Sequence, residues 1–151
     1  MNQISLFINK DIHSAQDISP ELIRRHIGHL GWINPEDNND FGVNGKVTDT
    51  WYFGLNSMSS QPDEKSKSLL FEFSDSTHTD ADMRTVCVAL DDYMQPLVAA
   101  GFAAESQRNR FNEVYWTFTR NNVGAIVYLR GKSHRKDTQT CVSMAIISAS
   151  S

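Results

Sequence analysis

The sequence lacks the short motifs that mark the common enzyme classes. It has neither a Walker loop nor a Gly-x-Gly-x-x-Gly loop to hold phosphates, and no Gly-x-Ser-x-Gly turn of the serine hydrolases. No apolar run approaches the roughly 18 residues that span a membrane. We therefore expect a protein that is not an enzyme, holds no cofactor and does not enter a membrane.

Cysteine is scarce as well. The only two, Cys87 and Cys141, lie in segments with apolar periodicity. Cysteines in such segments are usually small buried hydrophobic side chains, so we interpret them as reduced thiols. A disulfide between the two is the alternative. The first residues also lack the basic segment of a signal peptide. These features predict a soluble, cytoplasmic protein.

Basic residues are too few for a typical nucleic-acid-binding protein, since the net charge is −4. The charge is unevenly distributed. Residues 1–92 hold fifteen acidic and seven basic side chains, whereas residues 93–151 hold three and seven. The one basic stretch, residues 130–136, is typical of a solvated hairpin loop. Because a negative surface attracts a positive partner, we expect a basic protein as partner and no direct contact with nucleic acid.

Local patterns predict two helices. Ser19, Pro20 and Glu21 are a typical helix start, with Ser as the N-cap and Pro in the first helical position. Apolar residues follow at helical spacing, and Gly31 is the expected C-cap. A longer apolar stripe from Met83 to Val98 predicts a second helix, with Thr79 or Asp80 as N-cap, a kink or restart caused by Pro96, and Gly101 as terminator.

Alternating apolar and polar residues predict six strands, over residues 4–8, 47–55, 69–73, 114–119, 123–129 and 141–147. Polar residues 35–44 and 57–68 are expected to be loops. The chain length fits one domain, residues 1–151. The element order predicts an α+β fold, a mostly antiparallel sheet with two helices on one face. A ferredoxin-like βαββαβ core with extra C-terminal strands is one arrangement that satisfies it.

Two groups of side chains are candidates for a metal site. His26 and His29 lie three residues apart on the first helix, but no third ligand follows nearby. The second group lies where acidic residues commonly stabilise a helix N-terminus, and it consists of Asp75, His78, Asp80 and Asp82. We predict no metal. A small metal-dependent hydrolase built on the second group remains an alternative hypothesis.

Acidic loops combined with aromatic residues indicate a protein-binding surface. Trp and Tyr supply much of the binding energy at protein interfaces. Trp32 follows the end of the first helix, and Tyr52 faces away from the apolar side of its strand, so both are expected to be exposed. The predicted partner-binding residues are Trp32, Glu36, Asp37, Asp40, Tyr52, Asp63 and Glu64.

Two short motifs carry a resemblance to a known family. They are Gly31-Trp32 after the first helix and Trp51-Tyr52-x-Gly54-x-x-Ser57 in the second strand. Through them the first half of the chain resembles immunity proteins of bacterial polymorphic toxin systems, in particular the Imm52-type group. The resemblance implies an α+β protein without catalysis that binds and blocks a cognate toxin, a nuclease. An inhibitor of a host nuclease, encoded by a phage or mobile element, is the alternative.

Overall fold

The computed structural model describes residues 8–58, 65–77, 83, 85–131 and 139–151. These contain two α-helices, α1 (Pro20–Ile27) and α2 (Leu90–Ala99). They also contain eight strands, which are β1 (Trp32–Asn34), β2 (Asp37–Lys46), β3 (Trp51–Ser57), β4 (Ser66–Asp75), β5 (Ala103–Arg108), β6 (Val114–Arg120), β7 (Val123–Gly131) and β8 (Gln139–Ser150).

The strands form one sheet in the order β1-β2-β3-β4-β8-β7-β6-β5, and every neighbouring pair is antiparallel. Strands β1 to β4 make up one half of the sheet, here the N-terminal half, and β5 to β8 make up the C-terminal half. The predicted α+β fold with a mostly antiparallel sheet is confirmed. A ferredoxin-like core is not confirmed, because it would need a parallel strand pair that the described residues do not contain.

One face of the sheet forms the core. Alternate residues of β3 are buried, as the predicted strand phase requires, namely Trp51, Phe53 and Leu55. The helices contribute to the same core cluster, α1 through Leu22 and Ile23 and α2 through Tyr93 and Leu97. Side chains on the opposite face, here called the open face, are exposed or half-buried. The functional candidates on the sheet therefore have to be sought on the open face.

Helix α1 begins as predicted, with Ser19 as N-cap and Pro20 in the first turn. It ends at Gly28 instead of Gly31, because Gly28 has the left-handed φ of 96° that glycine adopts without steric cost. Gly31 has a different function. Its N–H donates to Gly42 O at 2.9 Å, and a Cβ there would lie 2.9 Å from Val43 Cα. Glycine thus allows the chain to approach β2 closely.

The predicted start of the second helix is wrong, since α2 begins at Leu90. The segment before it pairs with β8 instead: Ala89 forms a bridge with Cys141, and Val142 N–H donates to Val88 O at 2.9 Å. A disulfide between Cys87 and Cys141 fastens this pairing. The interpretation of the cysteines as reduced thiols is therefore corrected, and the cytoplasmic assignment loses the support it took from them.

The acidic stretch predicted as a loop over residues 35–44 forms the β1–β2 hairpin instead. Side-chain bonds shape its turn: Asn34 Nδ2 donates to Asp40 Oδ2 at 3.2 Å, and Glu36 N–H donates to Asn34 Oδ1 at 2.9 Å. Strand β2 is held by its pairing with β3 and by the buried Phe41 and Val43. Strand β5 was also not predicted. The strand predicted over residues 4–8 lies outside the described residues except for Ile8.

Tyr93 gives the fold a dependence on alkaline pH. Its ring is fully buried, and Asn9 Nδ2 donates to its hydroxyl at 3.3 Å. Burial raises the pKa of the Tyr93 hydroxyl above its ordinary value of 10.0, against the smaller lowering effect of Asn9. The stability of the fold that depends on a protonated Tyr93 is fully present below pH 10.0 and is lost as the pH rises above it. At such a pH the Tyr93 hydroxyl ionises in the unfolded chain but stays protonated in the folded one.

We therefore expect the free energy of unfolding of Tyr93→Phe to fall less steeply than that of the wild type between about pH 9 and about pH 11. Denaturant unfolding across that range measures both slopes. Equal slopes would show that the Tyr93 hydroxyl is not protected by burial.

Candidate partner-binding surface

Trp32 and Tyr52 both lie on the open face of the N-terminal half. In the register Trp32 pairs with Gly42, and Tyr52 pairs with Lys46. Each of the two aromatic side chains is 38% exposed, whereas Trp51 is 3% exposed. The exposure expected from the sequence is thus observed for both anchors, and Trp51 belongs to the core.

A short ladder of side chains holds Trp32 in place. Its indole Nε1 donates to Asn56 Oδ1 at 3.2 Å, and Asn56 Nδ2 donates to Asn44 Oδ1 at 3.2 Å. Glycine lies beneath the ladder: a Cβ at Gly42 would overlap Asn56 Oδ1 and lie 2.9 Å from the indole nitrogen. The polar indole N–H is therefore satisfied while the ring remains accessible. Such a fixed side chain loses little conformational entropy on binding.

The other motif residues have structural explanations. Gly54 leaves room for the ladder, because a Cβ there would lie 2.9 Å from Asn44 Oδ1. The Ser57 hydroxyl accepts from Phe41 N–H at 2.9 Å and donates to Phe41 O at 3.0 Å, which fastens β2 to β3. Trp32 and Tyr52 are the motif residues whose large side chains remain exposed.

The acidic candidates at the β1–β2 hairpin differ in their surroundings. Glu36 and Asp37 are exposed, and Asp37 Oδ1 accepts from Asn39 N–H at 2.9 Å. Asp40 is half-buried and bound by Asn34, so it also stabilises the hairpin. Glu36 and Asp37 are therefore the carboxylates best placed to meet a partner. The other two candidates, Asp63 and Glu64, lie outside the described residues.

The acidic hairpin and the turn that carries Arg108 and Arg110 lie far apart in the sheet. The acidic hairpin lies at the outer edge of the N-terminal half. Arg108 and Arg110 lie at the β5–β6 turn, at the outer edge of the C-terminal half and at the other end of the strands. The two charged regions therefore occupy diagonally opposite corners of the sheet. Residues 132–136 of the basic stretch lie outside the described residues.

The metal-site candidates are not brought together in the described part of the chain. No group of three or more His, Cys, Asp and Glu residues that could hold an ion occurs there. His26 Nε2 lies 2.8 Å from Asp11 Oδ2. His29, predicted to lie on the first helix, is exposed just beyond its end. Asp75 Oδ1 accepts from Thr77 N–H at 2.8 Å. Its predicted companions His78, Asp80 and Asp82 lie outside the described residues.

Comparison of the chain with family models, with curated proteins and with solved structures found no match. In the part of the chain that the structure describes, no helix is both long enough and apolar enough to cross a membrane. Trp32 and the acidic hairpin are neighbours at one end of β2, whereas Tyr52, opposite Lys46, lies at the other end and is not brought together with them. The functional argument therefore rests on Trp32 and the acidic hairpin.

Proposed function

We propose that this protein is a binding protein of the immunity type, which captures a basic protein and blocks it by contact. The observation that carries the proposal is the exposed Trp32, held by Asn56 next to the acidic β1–β2 hairpin. The surface requires only that the partner be basic. That the partner is a toxin with nuclease activity follows from the resemblance of the two motifs.

The two parts of this surface contribute differently to binding. Glu36 and Asp37 accelerate the encounter with a basic partner, because complementary charge raises the association rate more than the final affinity. Trp32 supplies affinity as a buried anchor once the complex has formed. Association is therefore expected to slow as salt rises, whereas loss of Trp32 is expected mainly to speed dissociation.

The disulfide bears on the compartment in which the capture takes place. Cytosolic thiols are kept reduced, whereas disulfides persist in secreted and periplasmic proteins. The Cys87–Cys141 bond is the observation that favours an oxidising compartment over the cytoplasm expected from the sequence. The partner would then be met outside the cytoplasm.

The test is capture of a partner from an extract of the organism that encodes the chain, at low and moderate salt. We expect the wild type to retain one basic protein and Glu36→Lys/Asp37→Lys to lose it at low salt. The matched control is Asp91→Lys/Asp92→Lys, which makes the same charge change at exposed residues in the first turn of α2.

With the purified partner, Trp32→Ala is expected to weaken binding roughly 30-fold, the effect of removing an interface anchor worth about 2 kcal/mol. Equal capture by the hairpin variant and the control would show that this surface is the wrong one. The captured protein also separates the two hypotheses about its origin, since a toxin supports the immunity assignment and a host nuclease supports the phage-encoded inhibitor.

A further inference from the structure

A cleft lies between the segment before α1 and the sheet. Its cavity has a volume of about 220 Å³ and is lined by Ala15, Gln16, Asn39 and Lys67. The first two belong to a single 3-10 turn, Ala15–Asp17, whereas Asn39 is on β2 and Lys67 is on β4. Three separate elements thus each contribute one polar side chain to the cleft.

Lys67 occupies a position that is unusual for a lysine. It has the same phase along β4 as Leu69, Phe71 and Phe73, which are all buried, so it lies on the core side of the sheet. Its own side chain is half-buried, and its cross-strand partner Ala149 is buried. Taking a charged group partly out of water is costly unless an ion of opposite charge or hydrogen-bond acceptors compensate it.

The described residues supply no counter-ion for Lys67, since none of the ion pairs among them includes its ammonium group. The acidic residues closest in sequence to the other lining residues are engaged with the backbone. Asp17 Oδ2 accepts from His13 N–H at 2.8 Å, and Asp37 Oδ1 accepts from Asn39 N–H at 2.9 Å. Within this part of the chain the positive charge of the cleft therefore remains uncompensated.

We infer that the cleft binds a small oxyanion, a phosphate or a carboxylate. Lys67 supplies the charge, and the carboxamide groups of Gln16 and Asn39 supply N–H donors from the other two elements. Both carboxamide side chains are exposed, so an anion reaches them from solvent without a change of the fold.

The dimensions of the cleft limit the size of the ligand. A second cavity shares Asn39 and Lys67 with it and continues between Ile18 and Phe41, but its volume is only about 10 Å³. This recess has room for about one water molecule, so the ligand has to lie in the outer cavity. Pockets for drug-sized ligands measure about 300 to 1,000 Å³. The outer cavity is smaller and therefore suits a simple anion better than a nucleotide.

The inference goes beyond the proposed function, and neither depends on the other. Lys67 lies on the core side of the sheet, whereas Trp32 lies on the open face. A bound anion would connect the turn before α1 with β2 and β4. It would thereby stabilise the folded chain, because the three elements form the cleft only in the folded state.

The test is titration of the full chain with inorganic phosphate and, separately, with acetate, followed by amide NMR shifts and by thermal unfolding. Sodium chloride at matched ionic strength is the reference, since it measures screening alone. We expect the amide signals of Gln16, Asn39 and Lys67 to shift along a saturating curve, and the Tm to rise once the anion concentration exceeds its Kd. The anion that binds more tightly identifies the source of the ligand, phosphate or carboxylate.

Lys67→Met is expected to weaken binding about tenfold or more, because it removes the positive charge of the cleft, and Gln16→Met is expected to weaken it less. Lys46→Met is the matched control, since Lys46 is an exposed lysine on β2 that pairs with Tyr52, away from the cleft. Circular dichroism establishes that each variant is folded. Shifts that do not saturate with either anion, or equal binding by Lys67→Met and the control, would overturn the inference and leave the capture assay unaffected.

Discussion

The variant Cys87→Ser/Cys141→Ser is expected to lose about 4 kcal/mol of unfolding free energy, because the disulfide closes a loop over a separation of 54 residues. Closing a loop of this length restricts the unfolded chain and thereby stabilises the folded one. The bond also joins segments that are already paired: Ala89 bridges to Cys141, and Cys141 is fully buried. Its geometry is thus supported by the surrounding backbone.

Thermal unfolding with and without reductant measures this effect. The wild type is expected to lose roughly 10 °C in Tm on reduction, the shift that about 4 kcal/mol gives in a chain of this size. The double serine variant is the control, because reductant should leave its Tm unchanged. A wild-type Tm that does not respond after complete reduction would contradict the prediction. It would also remove the argument that the protein works in an oxidising compartment.

The start of α2 shows why part of the fold could not be predicted from local patterns. Met83, Val86 and Leu90 lie at helical spacing, which favours a helix over the whole segment. Pairing of Val88 and Ala89 with β8 holds the backbone extended up to α2. This pairing joins residues more than fifty positions apart, so no local pattern could indicate it.

The strands also divide into those that local patterns predict and those that they do not. Strands with one buried and one open face are predicted correctly, because apolar and polar residues alternate along them. An example is β3, in which Trp51 and Phe53 are buried and Tyr52 is exposed. The first residues of β2 are polar and mostly exposed, and β5 lies at the edge of the sheet. Pairing with a neighbouring strand holds these segments extended, and pairing leaves little trace in the pattern of apolar residues.

The candidate surface was partly predictable. Strand phase indicated that Tyr52 is exposed, and the position after α1 indicated the same for Trp32. The ladder that holds Trp32 was not predicted, because Asn44, Asn56 and Gly42 come from two strands and meet only through the register. Each of these residues by itself is typical of a turn, so the sequence alone assigns them no function.

Arg120 is a second unpredicted feature, and it joins three separate parts of the chain. Its guanidinium donates to Ala100 O at 2.8 Å, just after α2, and to Lys10 O and Ile12 O at 3.1 Å each, before α1. The same group lies 4.4 Å from the ring centroid of Phe102. One planar, fully charged group thus satisfies three carbonyl oxygens and fastens both segments to β6.

Arg120→Met is expected to lower the free energy of unfolding by roughly 3 kcal/mol. Hydrogen bonds to a charged group are stronger than neutral ones, and their loss leaves partly buried carbonyl oxygens without a donor. Arg120→Lys should restore little of the lost stability, because a compact ammonium cannot reproduce the planar fork that reaches the three oxygens.

Arg110→Met is the matched control: Arg110 is exposed at the β5–β6 turn and stacks on Phe111, so a change within about 0.5 kcal/mol is expected. Denaturant unfolding compares the three variants. If Arg120→Lys were as stable as the wild type, charge alone would explain the effect of Arg120, and the three carbonyl contacts would not contribute measurably.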